Sequence, residues 1–432
     1  MTARGETWFE ELIAAHATRM RDSPLAGYFA DPFRFFAWAR AEAPVLHLPE
    51  VDWWAVARYH DIRSVFRDPV TFSSSIVREP ITPLCPRATE IRESAGVRLE
   101  PTLADEEPAT HRRHRRLFGE GLSARRVARL EPMIRAIVNS QIDRFVDDGR
   151  ADLLAGLLQP AASRITFHLL GGEDDHFDLA DWPGGMRRVE TWGTPTEAAQ
   201  VSHMHMVARL WSVSGRLVRR AISHPGDSYL GDAVRARRAQ PALFTDNYLH
   251  NVAFLLQTAG ADNQSHALAN GIRTMLDDRT PWQRLCADPG LIPGAVEEIL
   301  RFGTPLLAFP RLATRDTEVG GRHLPAGARI LLLLASGNRD ETVFPDGERL
   351  DIDRDNARDH LSFGHGAHFC LGAPLARLEM KIILEELTRR LPRLRLADGG
   401  APEVFRTFTF RGLKHLTVEW TRSSGGNGTA HR

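Results

Sequence analysis

"SFGHGAHFCLGAPLAR" (residues 362–377) sets Cys370 between glycines, just ahead of a helical pattern, with His365 and His368 upstream. Glycines 364, 366 and 372 carry no Cβ and allow backbone to come close to a bulky, flat object. The run after Cys370 reads as a helix, so the sulfur stands near a helix N-terminus, where amides favour thiolate over thiol. Three readings compete: an inert buried thiol, a zinc or nucleophile site, and a thiolate that ligates something larger. Zinc would need a fourth ligand beyond His365, His368 and Cys370, and no second C-x-x-C or H-x-x-x-H completes it. A nucleophilic cysteine with a histidine partner has no local support. An inert thiol is the ordinary role of a lone cysteine, and the glycines packed around this one weigh against it.

The rest of the chain bounds the answer. Its 432 residues, 43% hydrophobic and 25% charged, can bury a sizeable core. Lys+Arg and Asp+Glu both total 55, which argues against nucleic acid or a membrane surface as the main partner. Cys85, Cys286 and Cys370 make no disulfide framework, so a reducing cytoplasm is expected. Charge interrupts the N-terminus, and no stretch approaches the roughly 20 apolar residues of a spanning helix. A monomer suits this composition.

Helical patterns dominate. Residues 124–148 read as one helix with Ser123 as N-cap, and 244–278 as a long helix through a core, apolar nearly all round. Strand signals cluster in "VLHLPEVDWWAVARY" and in 308–335, where a Gly-Gly and a Pro-Ala-Gly turn punctuate the pattern and "RILLLLAS" reads as a buried strand. The expectation is a single mainly α domain with small β-sheets over residues 1–420, and a disordered tail over 421–432. No βαβ alternation and no Gly-rich phosphate loop is found.

"FGHGAHFCLG" resembles the haem-binding loop of the cytochrome P450 family, Phe-Gly-x-Gly-x-His-x-Cys-x-Gly, at Phe363, Gly364, Gly366, His368, Cys370 and Gly372. The resemblance extends from about Trp38 to Trp420 and is closest to the soluble bacterial type. It implies a triangular prism of helices around a buried haem b, with Cys370 as the axial ligand of the iron. In "EEILRF" it implies a buried Glu298–Arg301 pair, with Arg349 of "GERLD" as third partner. In "HRRHRR" it implies that His111 and Arg115 meet a haem propionate, together with Arg311 and His368; such carboxylates need charge-assisted donors. Arg112, Arg113 and Arg116 read as an exposed face on the cysteine side, suited to an acidic electron donor such as a ferredoxin.

The family pattern breaks in "AGADNQS". Ala259, Gly260 and Asp262 match the oxygen-side groove, where the small pair is expected to leave room for O2, but the usual threonine is Asn263, followed by Gln264. A threonine hydroxyl donates and accepts, and so delivers protons; an amide is a poor proton carrier. Asn263 is therefore read as holding a water while Asp262 and solvent supply protons. By family topology the pocket draws on residues 76–102, 176–206, the long helix, Leu306, Leu307, Phe309 and Thr409, a mostly apolar lining. The function implied is an O2-dependent monooxygenase that hydroxylates or epoxidises an apolar, terpenoid- or steroid-like secondary metabolite. The alternative, prompted by Asn263, is a non-insertion oxidation such as coupling or desaturation.

Overall fold

The computed structural model describes residues 27–29, 31–80, 83–173, 197–397 and 400–421. The expected tail from 422 onward and the pocket segment 176–196 lie outside the described residues. Nine helices carry the site: α1 (Tyr59–Arg67), α2 (Pro86–Ser94), α3 (Pro108–Glu120), α4 (Glu131–Asp143), α5 (Gln159–Leu169), α6 (Glu197–Ser223), α7 (Asp246–Asp277), α8 (Ile292–Phe302) and α9 (Ala373–Arg390).

The long apolar pattern becomes α7. Thr245 caps it, its hydroxyl accepting from Tyr248 N at 2.9 Å. Leu249, Val252, Ala253, Leu268, Ile272 and Met275 are fully buried, so several faces of α7 are covered at once, mainly by α5 and α6. No helix among the described residues is long and apolar enough to cross a membrane.

The helix expected over 124–148 is interrupted. A short helix, Ala124–Ala128, precedes α4, and Pro132 sits in the first turn of α4, where its missing N–H costs nothing. In an unbroken helix the same proline would remove a hydrogen bond and clash with the turn before it. Ser123 makes no side-chain cap.

The strand signals form a five-stranded sheet in the order β1–β2–β8–β5–β3, from Val45–Leu48 (β1), Trp53–Val56 (β2), Phe72–Ser73 (β3), Phe309–Ala313 (β5) and Arg329–Leu332 (β8). The β4 strand (Arg150–Asp152) belongs to a separate small sheet. "RILL" is the centre of the five-stranded sheet. Trp54 pairs with Ile330 in parallel, Arg311 with Ile330 antiparallel, and Ile330, Leu331 and Leu332 are all buried, as expected for a strand covered on both faces. The Gly-Gly turn joins β6 (Thr317–Val319) to β7 (Arg322–Leu324), with φ of +54° and +76° at Gly320 and Gly321. Both central residues of such a tight hairpin need the left-handed region.

On α8 the Glu298–Arg301 pair is fully buried. Arg301 forks onto both carboxylate oxygens, Nε and Nη2 each at 2.7 Å, and donates to the carbonyls of Asn338, Gly347 and Arg349 at 2.7–2.8 Å. The expected third partner is corrected. Arg349 contributes its carbonyl, while the side chain that reaches Glu298 Oε1 is that of Arg354, at 3.3 Å. Every polar group of the pair has a partner, so a fully desolvated ion pair is tolerable here.

Next to it, burial pushes the Glu297 carboxyl up, but His360 and a fork from Arg377 (2.7 and 3.0 Å) outweigh burial and hold it at about 2. The Arg377 bonds are the short ones, since His360 stands 3.5 Å away. A depressed carboxylate stabilises the fold above its unfolded value near 4.5, and that contribution is lost as pH falls through about 2. Acid unfolding of wild type and Glu297→Gln should therefore converge over this window. The wild type is expected to lose roughly 3 kcal/mol more than the variant, read by circular dichroism.

Candidate active site

The cysteine loop is held against α1. Gly364 and Gly366 have φ of +69° and +71°, and a Cβ on Gly366 would lie 2.6 Å from the Phe66 carbonyl oxygen. Close approach to protein backbone thus already requires glycine at 366. Cys370 N donates to Phe363 O at 2.9 Å, and Arg115 Nη2 donates to Phe369 O at 2.5 Å, tying the loop to α3. Burial pushes the Cys370 thiol up, while the amides of Gly372 and Ala373 and the charges of Arg115 and Arg377 favour its thiolate. Cys370 is half-buried, and it lines a cavity of about 500 Å³ that reaches from this loop to α7.

His365 is not drawn into the site; it faces Arg63 and Arg67 of α1. Among the described residues, no group of three or more His, Cys, Asp or Glu side chains is arranged to hold a metal ion, so a zinc cluster around Cys370 gains no support.

Beside the sulfur the structure gathers four cationic or protonatable groups. The rings of His111 and His368 stack at 3.9 Å. His368 Nδ1 lies 3.2 Å from Leu103 O and its Nε2 3.4 Å from Ser74 Oγ, whereas both ring nitrogens of His111 are buried without a hydrogen-bond partner among the described residues. Arg311, 2% exposed, makes one described hydrogen bond, to Pro310 O, and lies over the rings of Phe66 and Phe309. Burial pushes Arg311 down to about 10; burial, then the charges of His111 and Arg311, push His368 down to about 3. Arg115, Arg311 and His368 line the cavity, while His111 stands behind His368. Such a crowd of donors calls for an anion. The two carboxylates of a haem would fit this donor set.

On the opposite wall α7 presents Ala259, Gly260, Asp262, Asn263 and Gln264. The expected reason for the small pair is half corrected. Ala259 is exposed to the cavity, but Gly260 is small because α5 crosses there: a Cβ would stand 2.8 Å from Thr166 Oγ1. Asn263 Nδ2 donates to Ala259 O at 3.0 Å, four residues back, which leaves its carbonyl as the free end of the amide. Gln264 bonds instead to Glu379 of α9, a residue the sequence reading did not single out. Glu379 is fully buried, and burial pushes its carboxyl well above the usual range despite that bond. The signal was available: Glu379 shares a helix face with Leu375, Ile382 and Ile383, all buried.

Leu306 and Phe309 line the cavity as expected, but Leu307 and Thr409 do not. Leu306 pairs with Phe410 as an isolated bridge, and the Leu307 amide donates to Thr409 O at 2.8 Å. That pairing turns Leu307 into the core beside Phe408 and puts Phe410 on the cavity wall. Of the 176–206 segment, His203 and Met204 of α6 reach the cavity.

Comparison with known proteins agrees with this geometry. Residues 226–402 match the Cytochrome P450 family model. The chain is 34% identical over 403 residues to the cytochrome P450 monooxygenase PikC of Streptomyces venezuelae, covering 91% of this chain and 92% of that protein. It is 34% identical to the mycinamicin IV hydroxylase/epoxidase of Micromonospora griseorubida, over 85% and 89% of the two chains. The heme domain of a Tepidiphilus thermophilus P450 superposes with a TM-score of 0.84 at 37% identity, covering 91% of this chain and 95% of that one. At 34% identity over 91% of its length to a cytochrome P450 monooxygenase, and with a cysteine loop facing a long helix across one cavity, the chain belongs to the cytochrome P450 family.

Proposed function

We propose that this P450 monooxygenase hydroxylates or epoxidises an apolar secondary metabolite, with electrons from a ferredoxin-type donor in the cytoplasm. One observation carries the reading. Cys370 and the Asp262–Asn263 pair face one cavity whose remaining walls are mostly apolar, including Leu306, Phe309, Phe254 and Met204. Relatives named as a monooxygenase and as a hydroxylase/epoxidase support it.

Haem held by Cys370 would supply the reductive activation of O2, which consumes two electrons and two protons. Amides of Gly372 and Ala373, pointed at the sulfur, favour its thiolate and would set how much charge Cys370 lends the iron. Arg115, Arg311 and His368, backed by His111, would hold its propionates. Asp262, 4% exposed, is the group on the oxygen-side wall that can pass protons inward, and the free carbonyl of Asn263 holds the water through which they pass. Arg112, Arg113 and Arg116 are exposed on α3, whose Arg115 touches the loop beside Cys370, so an acidic donor protein docking there stands close to the sulfur.

Asp262→Asn should cut substrate oxidation by about a hundredfold or more, the ordinary contribution of a positioned acid, while haem content and ligand-induced spectral shifts stay as in wild type. Turnover with terpenoids, steroids and macrolides, followed by product mass, tests the reaction. A product heavier by one oxygen supports insertion. A product lighter by two hydrogens favours the second reading, desaturation or coupling, which the commitment of the Asn263 amide to its own helix makes worth testing.

A further inference from the structure

The cavity holds a second pair of arginines, separate from the cradle beside Cys370. Arg78 lies in the segment after β3 and Arg92 on α2, and both line the cavity among Val77, Leu84, Leu99 and Leu103. Nε and Nη2 of Arg78 bond to Asp105 Oδ2 at 2.9 and 2.7 Å, and Nη2 also reaches the Glu100 carbonyl. Its Nη1 is buried with no partner among the described residues. Arg92 is half-buried, and no hydrogen bond or ion pair of its guanidinium is found among the described residues. Asp105 is already engaged by Arg78, and the two cavity-lining acids, Asp262 and Glu379, sit on α7 and α9. The position of α2 is fixed by α6: Gln200 accepts from Cys85 N at 2.6 Å and donates to Pro83 O at 3.2 Å. Arg92 is thus carried on an anchored helix, in a wall shared with Arg78 and the apolar side chains of Val77, Leu84, Leu99 and Leu103.

A guanidinium in apolar surroundings without a carboxylate is unfavourable unless a ligand supplies the anion, and arginine's planar fork matches a carboxylate better than any other side chain does. We infer that the substrate is an apolar acid: one carboxylate held by Arg92, and a hydrocarbon body reaching toward Ala259 and Phe309. The inference rests on the monooxygenase reading, because it takes the cavity to be that enzyme's substrate chamber. It narrows the substrate from apolar metabolites in general to those with a single acidic end. The acid end also selects which carbon lies beside the haem.

The test compares each acid with its methyl ester in the haem-loaded, full-length chain: dodecanoic acid and abietic acid, by ferric spin-state titration and by calorimetry. Charge-assisted hydrogen bonds to the carboxylate should make the acids bind about tenfold to a hundredfold more tightly than the esters. Arg92→Gln should remove that preference while ester affinity stays at the wild-type level, and Arg92→Lys should keep part of it. Since Arg92 has no described partner to orphan, its loss should leave the fold intact. Equal affinity of acid and ester in wild type, a preference that survives Arg92→Gln, or no response to either acid would each overturn the inference. The reduced CO complex, recorded on the same samples, reports the Cys370 site separately. An intact thiolate band with tight ester binding would reject the acid anchor and leave the apolar-substrate monooxygenase standing; a missing band would reject both.

Discussion

Glu298→Ala is expected to lower the free energy of unfolding by roughly 3–5 kcal/mol, a large share of the about 5–15 kcal/mol that holds an ordinary protein folded. The substitution strands the Arg301 guanidinium, 0% exposed, with three backbone carbonyls and no counter-charge. It also releases two further donors, the Asp351 amide and Arg354 Nε, from Glu298 Oε1. The network therefore stitches α8 to the loop 338–354, and denaturant unfolding followed by tryptophan fluorescence should show the whole loss in the midpoint. Arg349→Ala, by contrast, should cost less than about 1 kcal/mol, because only its main-chain carbonyl takes part in the network and alanine keeps that carbonyl. Arg354→Ala falls between the two. Similar losses at 349 and 298 would contradict the assignment of partners.

Cys370→Ala is expected to reduce haem retention by more than about a hundredfold, since altering even outer-shell partners of a metal ligand costs ten- to a hundredfold. It should abolish substrate-dependent O2 consumption altogether. The fold has no other reason to fail, because the loop is held by the Cys370 amide to Phe363 O and by Arg115 to Phe369 O, both main-chain acceptors that alanine leaves in place. Thermal unfolding of the haem-free forms of wild type and variant should coincide within about 1 kcal/mol, which separates loss of the ligand from loss of the structure.

How much of this was legible depended on whether chemistry or packing chose the residue. The cysteine loop could be read because its chemistry demands particular residue types at fixed separations, and one stretch holds them all. The long helix could be read because α7 is buried on several faces and must be apolar throughout. Local irregularity was harder. One residue of register decides whether Leu306 or Leu307, and whether Thr409 or Phe410, meets the cavity, and the isolated bridge that sets that register joins segments a hundred residues apart. Arg349 and Arg354 lie on one loop, and only its path shows which side chain reaches Glu298. Gly260 and Gly366 were read as spaces kept for ligands; Gly260 is needed for the crossing of α5 and α7, and Gly366 for the approach of α1. Glu379 and Gln264 were missed as a pair because each sits in an otherwise ordinary helical pattern, and their contact joins two helices.

The central claim is that Cys370 ligates haem iron as a thiolate inside this cavity. Reduction of the purified protein under CO tests it most directly. The strongly red-shifted Soret band of a thiolate–iron–CO complex, present in wild type and absent from Cys370→Ala, is the predicted result. A band at the position typical of histidine ligation, or a preparation that binds no haem, would contradict it.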